Sequence, residues 1–127
     1  LLGVIVPAGR ELVFLTGHTP PAVDADAPSN RLKAFGDTYT QTVGAFQELG
    51  RTLGLLGLNF SHLIQIRALL VGDAALNGRM DCEGFSRAHA EFFGTPEQPK
   101  LVARMRMQVV GLVNPGCLVE LEVVAVR

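Results

Sequence analysis

Charge is scarce in this sequence: Asp, Glu, Lys and Arg make up 18% of 127 residues, where ordinary soluble domains carry roughly a quarter. The formal net charge is −1, so the chain has no basic stripe of the kind that nucleic acid demands. Trp is absent and Tyr occurs once, which leaves no aromatic strip on which single-stranded bases would stack. Cysteine is limited to Cys82 and Cys117. Their separation matches no metal-binding spacing, and they read as reduced thiols in a cytoplasmic protein. Apolar runs are broken within about ten residues, too soon to span a bilayer. No signal-peptide pattern opens the chain, which also starts without Met.

Apolar residues, by contrast, reach 48%. A chain of this length suits a single domain over residues 1–127, large enough to bury a core. With so much apolar and so little charged surface, part of the exterior is expected to meet another subunit.

Periodicity divides the chain. Leu1–Val6 and Leu12–Thr16 are short β-rich runs around the turn cluster Pro7-Ala8-Gly9-Arg10, a pattern that predicts a hairpin. Thr19–Asn30, rich in Pro, Asp and Asn, predicts a surface loop. From Thr38 the apolar spacing becomes helical through Tyr39, Val43, Phe46, Leu53 and Leu56. Asp37 or Thr38 can cap this helix, and Gly57 suits a left-handed stop. Gly50 and Gly54 each weaken it by about 1 kcal/mol unless close packing offsets the cost.

Leu63–Val71 reads as a strand with two apolar faces, Leu63 and Leu69 on one, Ile64, Ile66, Ala68 and Leu70 on the other. Such a strand needs cover on both sides. Asp73 is placed to cap a second helix reaching Phe93, with Asn77-Gly78 able to break its first turn. Val102–Leu112 and Cys117–Val126 alternate around Val113-Asn114-Pro115-Gly116 and predict a closing hairpin. The resulting order is ββ-α-β-α-ββ, an α+β layer with two helices on one face of a sheet.

One polar constellation interrupts the apolar pattern. Arg104, Arg106 and Gln108 share one face of their strand, and Glu120 and Glu122 share a face of the next. An even register would bring all five together. A guanidinium in such a place suits a carboxylate, which its planar fork holds bidentately, and a nearby glutamate can position water. The same residues also suit a solvent-facing strand pair with cross-strand ion pairs, each worth well under ~1 kcal/mol.

Other signals are weaker. His18, His62 and His89 lack metal-ligand spacing, so no metal is expected. No GxSxG and no phosphate loop occurs. At Thr16-Gly17-His18 the glycine permits close backbone approach to a ligand, or simply makes a turn.

Taken in order, these segments resemble the RidA (YjgF, L-PSP) family. Phe14-Leu15-Thr16-Gly17-His18-Thr19-Pro20 is similar to that family's aromatic-x-Ser-Gly-Gln-x-Pro. Gln41-Thr42 opens a helix like its Gln-Thr helix. Ala103-Arg104 with Val109-Val110-Gly111-Leu112 resembles its Pro-Ala-Arg-Ser/Thr…Val-Ala-x-Leu strand. Leu118-Val119-Glu120-Leu121-Glu122-Val123-Val124-Ala125 resembles its closing strand.

The resemblance implies a chorismate-mutase-like fold, a homotrimer with sheets facing inward and ligand clefts between subunits. It implies hydrolysis of enamines and imines such as 2-aminoacrylate to 2-keto acids and ammonia, without a cofactor. Arg104 would grip the substrate carboxylate and Glu120 would orient the attacking water. Thr16, Gly17, Ser86 and Arg106 would help bind a small carboxylate-bearing metabolite, with no nucleic acid or membrane partner.

The chain also departs from the family pattern. The family's N-terminal tyrosine has no counterpart. Ser86 replaces a frequent Asn and His89 a Tyr, while Val102, Met105 and Arg106 alter the shell of Arg104. The extra Arg106 hints at a larger or more acidic ligand. A trimer that binds a small acid without turning it over is the second expectation, and RNA cleavage ranks last.

Overall fold

A computed structural model describes all residues, Leu1–Arg127. It is an α+β layer of four strands and two helices. The strands are β1 (Leu12–Phe14), β2 (Leu63–Val71), β3 (Ala103–Val109) and β4 (Val119–Val126). The helices, α1 (Thr38–Leu55) and α2 (Cys82–Ala90), cover one face of the sheet.

Local chemistry accounts for the helix limits. The Asp37 carboxylate accepts from the Thr40 N–H at 2.8 Å and caps α1, while Gly57 sits at φ 71 just past its end. Gln41, fully buried near the start of α1, donates to the Gly36 and Gly116 carbonyls and accepts from the Leu118 N–H at 2.6 Å. Its amide thereby ties the helix to the approach of β4. The expected second helix is shorter than its periodicity implied. Asp73 caps only a single 3-10 turn, Ala74–Leu76, which Asn77 (φ 56) and Gly78 (φ 77) end in the left-handed region. Asp81 then caps α2 afresh through the Gly84 N–H.

The core lies between helices and sheet. Phe46, Leu49 and Leu53 from α1 and Phe85 from α2 pack against Ile66, Ala68 and Leu70 of β2 and Val119, Leu121 and Val123 of β4. Four of the other six phenylalanines gather around Phe46, whose ring centroid lies 5.0 Å from that of Phe92 and 5.6 Å from that of Phe93. Gly50 allows the Phe60 ring to approach α1, whereas Gly54 faces open space.

Two expected hairpins do not form. Sheet order is β1-β4-β2-β3, with β3 parallel to β2 and β4 antiparallel to it. The closing hairpin is therefore split by β2, whose Ile66, Ala68 and Leu70 are fully buried beneath the helices. At the N-terminus, residues 1–10 make no backbone–backbone hydrogen bond, and Gly3 and Val4 border an open pocket with Leu12, Phe14, Ile64 and Val124. A bulge between Leu63 and Gln65 also turns Leu63 into the core beside Ile66, not onto the face of Leu69 as alternation implied.

Strand register assigns the faces. Met105 pairs with Arg67, Met107 with Leu69 and Phe14 with Val124. These residues, with Glu120 and Glu122, form the face that no helix covers. Phe14 is 74% and Met105 45% exposed there, and the one ion pair on it, Arg67 to Glu122 at 3.3 Å, is half open to solvent.

Candidate functional site

The expected polar constellation comes apart in register. Arg104 pairs with Ile66, which in turn pairs with Val123, so its side chain leaves the sheet on the helix side. Glu120 pairs with Leu69 and leaves on the opposite side. Within one chain, Arg104 and Glu120 are therefore on opposite faces, with β2 between their strands. The even-register expectation is corrected: β3 and β4 never pair, so their mutual register does not exist.

Two half-sites result. The first is an open cleft of ≈ 480 Å³ between α2 and the start of β3, lined by Ser86, His89, Phe93, Leu101, Val102 and Arg104, with Leu1, Ala90 and Ala103 completing its border. Chain direction explains the pairing of residues across it. The turn after α2 sends the chain back, so Arg106 lies beside Ser86, Arg104 beside Phe85 and Leu101 beside Gly94.

The Arg104 guanidinium sits 5.7 Å from the Phe85 ring centroid and has no carboxylate partner. Burial first, and Arg106 second, push its pKa down from the usual arginine range. Exposed and without a carboxylate partner, this guanidinium has its planar fork free to hold an anion.

Arg106 is used differently. It donates to Ser86 Oγ at 2.8 Å and to the Cys82 carbonyl at 3.3 Å, holding α2 against β3. Gln108 does the same further along, donating to the Gly78 carbonyl and accepting from the Met80 N–H. Both bonds use Arg106 Nη1, and its Nη2 and Nε have no partner within the chain.

Sequence patterning assigned His89 no role, yet its ring is central to the cleft. It stacks on Phe93 with centroids 4.7 Å apart at 20°, and its Nε2 is buried without a hydrogen-bond partner. Desolvation first, then the charges of Arg104 and Arg106, lower its pKa to about 4, so the ring is neutral near pH 7. The available signal was helical spacing, which puts Ser86, His89 and Phe93 on one stripe facing β3.

The second half-site lies near β1. Leu15 and His18 bond to Val123 and Leu121 of β4, leaving Thr16 and Gly17 together opposite Glu122 as a bulge. Neither the Thr16 nor the Gly17 N–H has an acceptor within the chain. His18 fixes the bulge, with Nδ1 2.8 Å from the Thr16 carbonyl and Nε2 3.0 Å from Thr52 Oγ1. The Glu120 carboxylate lies where a Gly17 Cβ would be, so only glycine leaves it this position. Two free N–H donors beside a carboxylate can hold a polar ligand or a water. No three His, Cys, Asp or Glu side chains converge as metal ligands, and no helix is long and apolar enough to cross a membrane.

A mixed sheet of four strands carrying two helices on one face is the architecture of the YjgF and Rid proteins. A YjgF gene product from Escherichia coli superposes with a TM-score of 0.70 at 18% identity, over 96% of this chain and 84% of that one. A Rid-family protein of unknown function from Yersinia pestis gives 0.73 at 19%, over 99% and 85%. TdcF from Escherichia coli, solved with bound serine, gives 0.70 at 20%, over 99% and 92%. The Endoribonuclease L-PSP family model matches residues 5–127, and the chain belongs to that family. No curated protein matches the sequence significantly.

Proposed function

We propose that this chain assembles as a homotrimer and hydrolyses reactive enamines and imines of the 2-aminoacrylate type to 2-keto acids and ammonia. The observation that carries this reading is the Arg104 guanidinium, unpaired in a cleft of metabolite size. Arg104 and Glu120 leave opposite faces of one sheet, so a site that uses both draws Arg104 from one copy and Glu120, with the Thr16–Gly17 bulge, from a second. The uncovered apolar face bearing Phe14, Met105 and Met107 supplies the surface for that contact.

The chemistry is modest. The enamine tautomerises to its imine, whose carboxylate Arg104 holds bidentately. A water held by the Glu120 carboxylate adds to the imine carbon, giving a carbinolamine. One proton of the water passes to nitrogen on addition; the carbinolamine hydroxyl proton follows as the C–N bond breaks, so ammonia departs and the 2-keto acid remains. Imines hydrolyse without help, so positioning a carboxylate and a water accounts for the acceleration.

Subunit mixing tests both halves at once. Arg104→Ala and Glu120→Gln, each inactive alone on enzymatically generated 2-aminoacrylate, are unfolded together at equal concentration and refolded. Random assembly restores an intact Arg104–Glu120 pair at about a quarter of the sites, and so about a quarter of wild-type keto-acid release. No recovery from the mixture refutes the shared site. Full activity in Arg104→Ala refutes the carboxylate role.

A further inference from the structure

Between Leu15 and His18 the chain leaves β4 for two residues. Leu15 donates to the Val123 carbonyl, and His18 exchanges both backbone bonds with Leu121 at 2.8 and 2.9 Å, so the ends of the bulge are pinned. Thr16 and Gly17 between them are exposed and unpaired. A glycine at the second position lets the 16–17 peptide turn over at little cost. One contact opposes that turn: His18 Nδ1 lies 2.8 Å from the Thr16 carbonyl oxygen. A carbonyl can only accept, so Nδ1 carries the proton. The ring is 9% exposed, and its Nε2 lies 3.0 Å from Thr52 Oγ1 on α1. The Thr52 hydroxyl also reaches the Glu48 carbonyl at 3.3 Å. Nε2 is therefore bonded with or without a proton. Bare, it accepts from the hydroxyl; protonated, it donates to the hydroxyl, whose own proton turns to Glu48.

The Thr16 carbonyl and the Gly17 N–H are two ends of one planar trans peptide unit, and they point in opposite directions. Holding the carbonyl on His18 thus aims the N–H away from the ring, to the side where no group of the chain accepts it. We infer that His18, braced by Thr52, is a positioning residue that aims the Gly17 N–H at the water held by Glu120. The inference rests on the reading of Glu120 as the group that holds the attacking water, and it adds what orients that water. The Glu120 carboxylate lies against Gly17. A water bound there donates one proton to the carboxylate and accepts the Gly17 N–H on one lone pair, which leaves the second lone pair for the imine carbon. His18 acts through the 16–17 peptide and not on the substrate.

Steady-state keto-acid release from 2-aminoacrylate, run beside urea unfolding, separates positioning from packing. His18→Leu fills similar space and frees the Thr16 carbonyl. It should lower kcat about tenfold to a hundredfold and leave KM within about twofold, because the Arg104 end is untouched. His18→Asn places an amide N–H near the former Nδ1 and should recover most of that kcat. It loses bulk and the Thr52 bond, so it should be no more stable to urea than His18→Leu. Thr52→Val exchanges a half-buried hydroxyl for a methyl of the same shape and serves if the His18 variants do not fold. There kcat should fall about two- to fivefold at unchanged KM, and an unchanged kcat overturns the brace. Activity that follows urea stability across the variants, or an Asn variant no more active than the Leu one, overturns the positioning role and leaves that of Glu120 standing. An unaltered chain that releases no keto acid overturns the Glu120 reading itself, and this inference with it.

Discussion

Acid should weaken this fold through His89, by an amount set by where the ring sits. The imidazole is half-buried between α2 and β3, stacked on Phe93, with Arg104 and Arg106 as the nearest charges. In the unfolded chain a histidine takes up its proton near pH 6.5, and in the folded chain this one resists until about pH 4. The unfolded state therefore binds more protons over that window, and stability falls as pH falls through it. Each tenfold difference in proton affinity is worth about 1.4 kcal/mol, for a ceiling near 3.4 kcal/mol. The ring is partly open to solvent, so screening reduces this to about 1–2 kcal/mol. The contribution is fully present above pH 6.5 and gone below about pH 4.

His89→Phe keeps the stack on Phe93 and removes the titration. Urea unfolding of both proteins at pH 7.5, 6, 5 and 4, at fixed protein concentration because assembly shifts apparent stability, isolates the effect from that of the carboxylates common to both. The unaltered chain should lose about 1–2 kcal/mol more than His89→Phe between pH 7.5 and 4. Parallel loss in the two proteins would refute the claim that burial and the two arginines withhold the proton.

Other expectations follow from single contacts. Gly17→Ala should displace the Glu120 carboxylate, the flexible group a Cβ would strike. Keto-acid release from 2-aminoacrylate should fall about tenfold or more while thermal stability changes by less than about 1 kcal/mol. Gln41→Ala should destabilise by about 2–4 kcal/mol in urea, because it strands the Leu118 N–H and the Gly36 and Gly116 carbonyls. Gly54→Ala, in a helical position facing open space, should stabilise by about 0.5–1 kcal/mol. Met105→Asp on the uncovered sheet face should shift sedimentation from a trimer toward a monomer.

Short-range chemistry was legible without coordinates wherever its partners lie close in the chain. The Asp37 cap and the left-handed Gly57 depend on residues a few positions apart, and each is where the pattern put it. Of the expected α1 stripe, Phe46 and Leu53 are buried while Leu56 is exposed past the helix end. Family motifs pointed to the L-PSP family, to which the chain belongs. Alternation along Val102–Leu112 correctly grouped Arg104, Arg106 and Gln108, since parity within one strand is a property of the backbone.

Parity says nothing about which strand lies next to which. That choice belongs to β2, whose Ile66, Ala68 and Leu70 are buried beneath the helices, and by entering between β3 and β4 it sets the registers that send Arg104 and Glu120 to opposite sides. The same long-range packing engages Arg106 with Ser86, leaves Arg104 without a partner and seals His89 Nε2 against the core. Residue types and local conformation are written in neighbours along the chain. Faces, partners and vacancies of charge depend on groups brought together from distant positions, which only the folded packing can settle.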